Sequence, residues 1–291
     1  MILKAQDLKS IFHKELDAVY GKDEVSSFFF LCLEQYSDTP RIQLQLEPEF
    51  TITKQETEQY FNTLEALKKQ KPIQYIFGET EFYGLNFKVT EDVLIPRQET
   101  EELVDWIIKC YSERNEESLK ILDIGTGSGC IAISLAKNIS NAEVYALDIS
   151  PKAIEIAKHN AEQNEIAISI TEANILDQAS WDSDYKNLKF DVIVSNPPYV
   201  RNLEKREIQS NVLDNEPHLA LFVDDNNPLI FYKAITQFAV DNLKSNGALF
   251  FEINQYLRDE TKALLMTSNF DEVELRKDLN NNYRMLKGTK K

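Results

Sequence analysis

The run Leu122-Asp123-Ile124-Gly125-Thr126-Gly127-Ser128-Gly129-Cys130 constrains this chain more than any other feature. A short apolar stretch, Lys120–Ile124, enters three glycines at every second position, and Cys130–Lys137 follows with a helical pattern. Glycine tolerates the left-handed backbone of such a turn and lets a ligand approach the amide N–H groups of the following helix. The pattern predicts strand, turn and helix, the first unit of a parallel sheet.

From about Glu99 onward the same alternation repeats. Glu143–Leu147, Ile168–Ile170, Phe190–Ser195 and Ala248–Ile253 read as further strands, with Val273–Leu275 and Tyr283–Leu286 closing the chain. Ser150-Pro151 reads as an N-cap followed by proline at the first helical position, and Leu229–Leu243 and Leu257–Leu265 read as helices. Alternation of this kind predicts an α/β fold, a mostly parallel sheet covered by helices on both faces. Residues 1–75 differ: Leu3, Leu8, Ile11, Phe12 and Leu16 recur at helical steps, and a small helical domain is expected. Between them, residues 76–97 alternate loosely around Gly78 and Gly84, which predicts a β-hairpin connector to a domain spanning residues 98–291.

Charge narrows the function. Net charge is −16, and the acid excess is spread along the chain. Holding nucleic acid by its phosphates needs a basic face, so the balance argues against direct binding of DNA or free RNA. No apolar run reaches the roughly 18–20 residues that a membrane span requires. The widely spaced Cys32, Cys110 and Cys130 show no metal-ligand spacing and read as reduced thiols, so a cytoplasmic protein without a metal site is expected.

The glycine loop distinguishes two cofactor classes. Dinucleotide loops place glycine or alanine at the sixth position. Counted from Gly125 that position is Cys130, and Asp123 before the loop would repel a pyrophosphate. A ligand with a carboxylate and an ammonium group, such as S-adenosylmethionine, fits better. Asp148 ends the second strand, where it can accept hydrogen bonds from ribose hydroxyls. Asn174 and Ile175 follow the third strand, where a side chain could reach an adenine. The plainer readings are a ligand-free turn, a capping or surface acid at 148, and a loop asparagine at 174.

The second motif is Asn196-Pro197-Pro198-Tyr199, which ends the strand Phe190–Ser195. Ligands in open parallel sheets bind at the carboxyl ends of strands, so this turn is expected at the same crevice as the glycine loop. Two prolines fix the backbone and remove two donors, leaving the Asn196 side-chain oxygen and the Pro197 carbonyl as acceptors. The lone pair of an amide or aromatic NH2 is delocalised. Two rigid acceptors, each taking one N–H, would orient such a nitrogen toward a sulfonium methyl. Tyr199 is expected to form a flat wall against the planar group.

Together with Pro72-Ile73-Gln74-Tyr75-Ile76, Glu81-Phe82-Tyr83-Gly84, Val93-Leu94-Ile95-Pro96-Arg97-Gln98-Glu99-Thr100-Glu101 and Glu216-Pro217 with Ala220-Leu221, these motifs resemble the release factor glutamine methyltransferase family. The resemblance covers roughly residues 70–255. It implies a class I S-adenosylmethionine-dependent methyltransferase fold, with a seven-stranded sheet and a helical N-terminal domain that docks the partner. The implied reaction methylates N5 of the glutamine in the Gly-Gly-Gln motif of class I peptide chain release factors. Implied cofactor contacts are Asp123, Gly125, Thr126, Gly127, Ser128, Gly129, Asp148, Asn174, Ile175 and Asn196. Implied glutamine contacts are Asn196, Pro197, Pro198 and Tyr199, with Asn196, Pro197 and Tyr199 the catalytic set. Three positions depart from the family pattern: Gln98 where proline is usual, Asn174 where an acid is usual, and Asn254 where glycine is expected. Arg97, Glu99 and Glu101 are either ion-pairing residues that hold the hairpin or groups near the cofactor. The competing readings are an N6-adenine or N2-guanine methyltransferase acting on DNA or RNA, which uses the same turn on a flipped base, and a cofactor-binding scaffold without catalysis.

Overall fold

The computed structural model describes residues 3–112, 118–178, 181 and 188–291. They form two compact units, residues 1–78 with 210–215, and residues 79–209 with 216–291.

The first unit is helical. Helices α1 (Ala5–Tyr20), α2 (Lys22–Ser37), α3 (Gln43–Leu46), α4 (Lys54–Lys68) and α5 (Ile73–Phe77) carry it, with a two-residue antiparallel pair of β1 (Leu3–Lys4) and β2 (Thr51–Ile52). The apolar spacing of α1 buries Leu8, Phe12 and Leu16 completely, against Phe29 and Leu33 of α2 and Tyr60 of α4. Helix α4 starts where Thr53 and Glu56 form a reciprocal capping box, which satisfies two end donors. The segment 210–215 joins this unit, and Asn215 donates to the Gln70 carbonyl at 3.2 Å. The segment falls within the 98–291 stretch expected to form one domain, and six residues carry no compositional mark that would set them apart.

The second unit opens with a hairpin of β3 (Glu79–Phe82) and β4 (Leu85–Lys88). Its two-residue turn, Tyr83-Gly84, has φ of 49° and 72°, the doubly positive geometry that matches strand twist. Then come α6 (Gln98–Tyr111), β5 (Leu119–Ile124), α7 (Cys130–Asn138), β6 (Ala142–Asp148), α8 (Pro151–Gln163), β7 (Ser169–Glu172) and β8 (Phe190–Ser195). Strands β9 (Val200–Arg201) and β10 (Phe222–Val223) form a short parallel pair; between them in sequence come α9 (Ser210–Asn215), which belongs to the first unit, and α10 (His218–Leu221). The chain ends with α11 (Ile230–Asn242), β11 (Leu243–Glu252), α12 (Arg258–Thr267), β12 (Phe270–Lys277) and β13 (Tyr283–Lys290).

Seven of these strands make one sheet in the order β12-β13-β11-β8-β5-β6-β7. All neighbours are parallel except the pairs made by β13, which runs antiparallel to β11 and β12. Alternate residues of the central strands feed two cores. Ile121, Val192, Val194 and Phe250 pack under α6 and α7 on one face, while Leu122, Ile193, Leu249 and Phe251 pack under α11 on the other. Strands buried on both faces explain why β5 and β8 read as continuous apolar runs rather than alternating ones. This is the sheet expected from the sequence, and it is the methyltransferase fold. No helix among the described residues is long and apolar enough to cross a membrane.

Candidate functional site

The strand order puts β5 beside both β6 and β8, so the sequence runs on either side of it to the left and right of one crevice. Ile124 and Ser195 are register partners, and each is the last residue of its strand. The glycine loop and the Asn-Pro-Pro turn therefore leave the sheet at the same level. A crevice of about 340 Å³ lies there, with Gly125–Ser128, Asp148, Asn174, Ile175 and Asn196–Pro198 in its wall. Of the residues expected at the site, Asp123, Gly129 and Tyr199 are not in that wall.

The loop is shaped by its glycines. Gly125 and Gly127 have φ of 77° and 54°, and Gly129 has 83° as it starts α7. Gly129 also has little room for a side chain, since a Cβ there would lie 3.2 Å from Ala157 Cβ and would push aside the tip of Ile133, 2.9 Å away. Backbone amides of Gly125 and Thr126 both donate to the Leu147 carbonyl, at 2.8 and 3.0 Å, which ties the loop to β6.

Asp148 adds a second tie. Its Oδ2 accepts from Gly127 N–H at 2.8 Å and its Oδ1 from Ser150 N–H at 2.9 Å. Burial raises this carboxyl above its ordinary range, while those two amides pull it back. Each oxygen keeps a second lone-pair direction for a hydroxyl. Beyond it, Ile149 and Leu176 stand 44% exposed on the crevice wall. The Asn174 oxygen accepts from Leu176 N–H at 2.9 Å in a local Asx turn, and its carbonyl accepts from the Trp181 indole. Its side-chain oxygen thereby holds the turn that carries Ile175 and Leu176 on the crevice wall.

Asp123 lies under the loop rather than on its ligand side. It is completely buried, and Thr126 Oγ1 donates to its Oδ2 at 2.6 Å. Among the described residues its buried Oδ1 has no hydrogen-bond partner, and burial pushes the carboxyl up to about 7. Strand β5 is buried on both faces up to its end, which places this acid beneath the loop.

On the other side of the crevice, Asn196 Nδ2 donates to Thr100 Oγ1 at 3.3 Å, and Thr100 donates to the buried Glu252 at 2.6 Å. Tyr199 turns its hydroxyl to the same carboxylate, 3.0 Å from Glu252 Oε1, and packs on the apolar core below. It braces the turn from behind. Among the described residues, neither the Asn196 side-chain oxygen nor the Pro197 carbonyl accepts a hydrogen bond. Asn254, where the family pattern has glycine, donates to the Tyr199 carbonyl and to Glu204, both at 3.0 Å, and so secures the end of the turn.

Arg97 also reaches the crevice wall and pairs with Glu216, whose side chain is 1% exposed. This joins the connector to the 217–220 segment, of which Pro217, Leu219 and Ala220 line the crevice. Glu99 and Glu101 stay off the wall; Glu101 accepts from Tyr83 N–H at 2.6 Å and holds the hairpin. Sequence reading missed Thr100 and Glu252 as parts of the site. The available signal was an acid inside the buried run Phe250-Phe251-Glu252-Ile253.

Sheet order, paired turns and crevice define a methyltransferase, and the chain matches the methyltransferase small domain over residues 105–220 and the PrmC N-terminal domain over residues 21–78. It is 51% identical to the release factor glutamine methyltransferase of Flavobacterium psychrophilum, covering 99% of each chain. It is 38% identical to the enzyme of that name from Bacteroides thetaiotaomicron, over 94% of this chain and 95% of the relative. Among solved structures, a Thermus thermophilus 16S rRNA guanine-N2 methyltransferase shares the fold at 18% identity and a TM-score of 0.53, over 73% of this chain and 50% of that one. The chain belongs to the release factor glutamine methyltransferase family.

Proposed function

We propose that this chain methylates the side-chain amide nitrogen of the glutamine in the Gly-Gly-Gln motif of class I peptide chain release factors, with S-adenosylmethionine as methyl donor. The observation that carries it is the register of Ile124 with Ser195, which presents the glycine loop and the Asn196–Pro198 turn to one crevice.

The crevice suits that cofactor residue by residue. Gly125–Ser128 offer a backbone loop against which the methionine end can lie, and Asp148 offers acceptors to the ribose hydroxyls. The exposed Ile149 and Leu176 supply aliphatic contact for a flat adenine, which accounts for their failure to bury against the protein itself. When bound, S-adenosylmethionine supplies an electrophilic methyl carbon on a sulfonium that leaves as a neutral thioether. The protein's part is orientation. Asn196 Oδ1 and the Pro197 carbonyl each accept one N–H of the glutamine amide, turning its lone pair to the methyl carbon and stabilising the positive charge that develops on nitrogen. The methylated nitrogen then loses its proton to water, so a general base in the wall is not required.

Net charge of −16 favours a protein substrate over a nucleic acid. The test is transfer of a radiolabelled methyl group to purified release factors, with DNA and transfer RNA as competitors. Label is expected in the peptide that contains Gly-Gly-Gln. Label confined to nucleic acid would overturn the proposal and favour base methylation.

A further inference from the structure

A carboxamide has two nearly equal ends. Rotating the Asn196 side chain by half a turn exchanges oxygen for NH2 with little change in shape, so packing alone does not decide which end faces the crevice. With the NH2 inward, the site would present a donor to the donor it is meant to hold.

The hydrogen-bond chain behind Asn196 decides it. Glu252 closes β11 and is 2% exposed, and Thr100, in the first turn of α6, is 3% exposed. Both oxygens of the carboxylate are taken by hydroxyl donors, Tyr199 on Oε1 and Thr100 on Oε2. Burial pushes this carboxyl up, the two hydroxyls and Arg284 pull it back, and in its ionised form it is an acceptor toward each hydroxyl. Threonine has a single hydroxyl proton, and here it points at Glu252. What Thr100 Oγ1 presents to Asn196 is a lone pair, which only the Asn196 NH2 can meet. We propose that Thr100, anchored by the buried Glu252, is the positioning residue that locks the Asn196 oxygen toward the substrate nitrogen. The inference rests on the glutamine-methylation reading above.

This also explains an acid in the sheet core. A glutamine at 252 would offer one acceptor and one donor, and could not receive both hydroxyls at once. An apolar residue would free the Thr100 proton to bond the Asn196 oxygen, reversing the carboxamide.

The experiment compares Thr100→Val, Thr100→Ala and Thr100→Ser with the wild-type protein. For each, kcat and KM are measured for methyl transfer to an intact release factor, and the dissociation constant for S-adenosylhomocysteine is measured by calorimetry. Valine and alanine are expected to lower kcat at least tenfold. Product-analogue affinity should stay within twofold and KM for the release factor within about threefold. Serine restores the hydroxyl without the methyl group and should recover most of the lost kcat. A valine or alanine variant that keeps kcat within twofold overturns the proposal. So does a serine variant as slow as valine, which would make Thr100 a packing residue, or loss of analogue binding in both valine and alanine variants, which would make it part of the cofactor site. Wild-type protein that labels no release factor removes the glutamine reading itself, and this inference with it, before any variant is compared.

Discussion

Ser195 donates its hydroxyl to the carbonyl of Ile124 at 2.6 Å, so the last residues of two neighbouring strands are joined by a side chain as well as by the sheet. Both are buried, and the bond lies immediately beneath the crevice. It fixes the distance between the two turns that follow them, one belonging to the cofactor loop and the other to the acceptor pair. Alignment of reacting groups is sensitive to shifts of an ångström, and a rigid base below both turns limits such shifts.

Asn196→Ala follows from that arrangement. The substitution removes the side-chain acceptor while leaving the glycine loop, Asp148 and the Pro197 carbonyl in place. Methyl transfer should fall by about 100-fold or more, the scale seen when one preorganised polar partner of a transition state is lost. Cofactor affinity should change by less than about fivefold, near 1 kcal/mol. Turnover close to wild type in a single-turnover assay would show that the Pro197 carbonyl alone suffices.

Asp148→Ala should act on two quantities at once, because the carboxylate both faces the crevice and accepts from Gly127 and Ser150. Cofactor affinity should weaken by about 1–3 kcal/mol from lost charge-assisted hydrogen bonds. Stability without ligand should also fall, by about 1 kcal/mol, as two backbone donors lose their acceptor. Calorimetric titration and urea unfolding read the two separately. Weakened binding with unchanged stability would mean that the Gly127 amide finds another acceptor, and unchanged binding would remove Asp148 from the ribose site.

The glycines of the loop are not equivalent. Alanine at 125 meets no atom within 4 Å and carries only the cost of a positive φ, about 1–2 kcal/mol. Alanine at 129 carries the same backbone cost and also presses a methyl group to 3.2 Å from Ala157 Cβ and 3.4 Å from Ala157 Cα on α8. Overpacking of that kind adds about 1–3 kcal/mol. Gly129→Ala should therefore unfold at distinctly lower urea than Gly125→Ala, and equal midpoints would contradict the close approach of α7 and α8.

How much of this was legible in the sequence depends on the range of the contacts involved. The strand, loop and helix around Gly125 were readable because glycine spacing and apolar runs are local signals, and Ser150-Pro151 announced α8 by its own chemistry. Asn196–Pro198 could be assigned to the crevice because parallel sheets place ligands at strand ends. What escaped was set by partners far along the chain. Tyr199 faces away from the crevice because Glu252, 53 residues later, takes its hydroxyl. Thr100 lies inside the connector motif, but its bond to Asn196, 96 residues away, cannot be read from that motif. The burial of Asp123 depends on strands on both sides of β5, which spacing along one segment cannot reveal.

Asp123 also predicts a pH signature. Its ordinary value is 3.8, and burial lifts it to about 7 in the folded chain. Between those values the native state holds a proton that the unfolded state has released. The unfolded chain then binds fewer protons, so stability contributed by this group is full below about pH 4 and declines as pH rises through 7. The slope cannot exceed about 1.4 kcal/mol per pH unit for one group. Asp123→Asn keeps an acceptor for Thr126 Oγ1 but has no proton to lose. The stability of wild type minus that of Asp123→Asn should therefore decrease between about pH 4 and pH 7 and level off above. Urea unfolding of both proteins at half-unit pH steps measures that difference directly. A difference that stays flat would show that the carboxyl is already ionised across the range, and one that grows with pH would mean the loop stabilises the charged form.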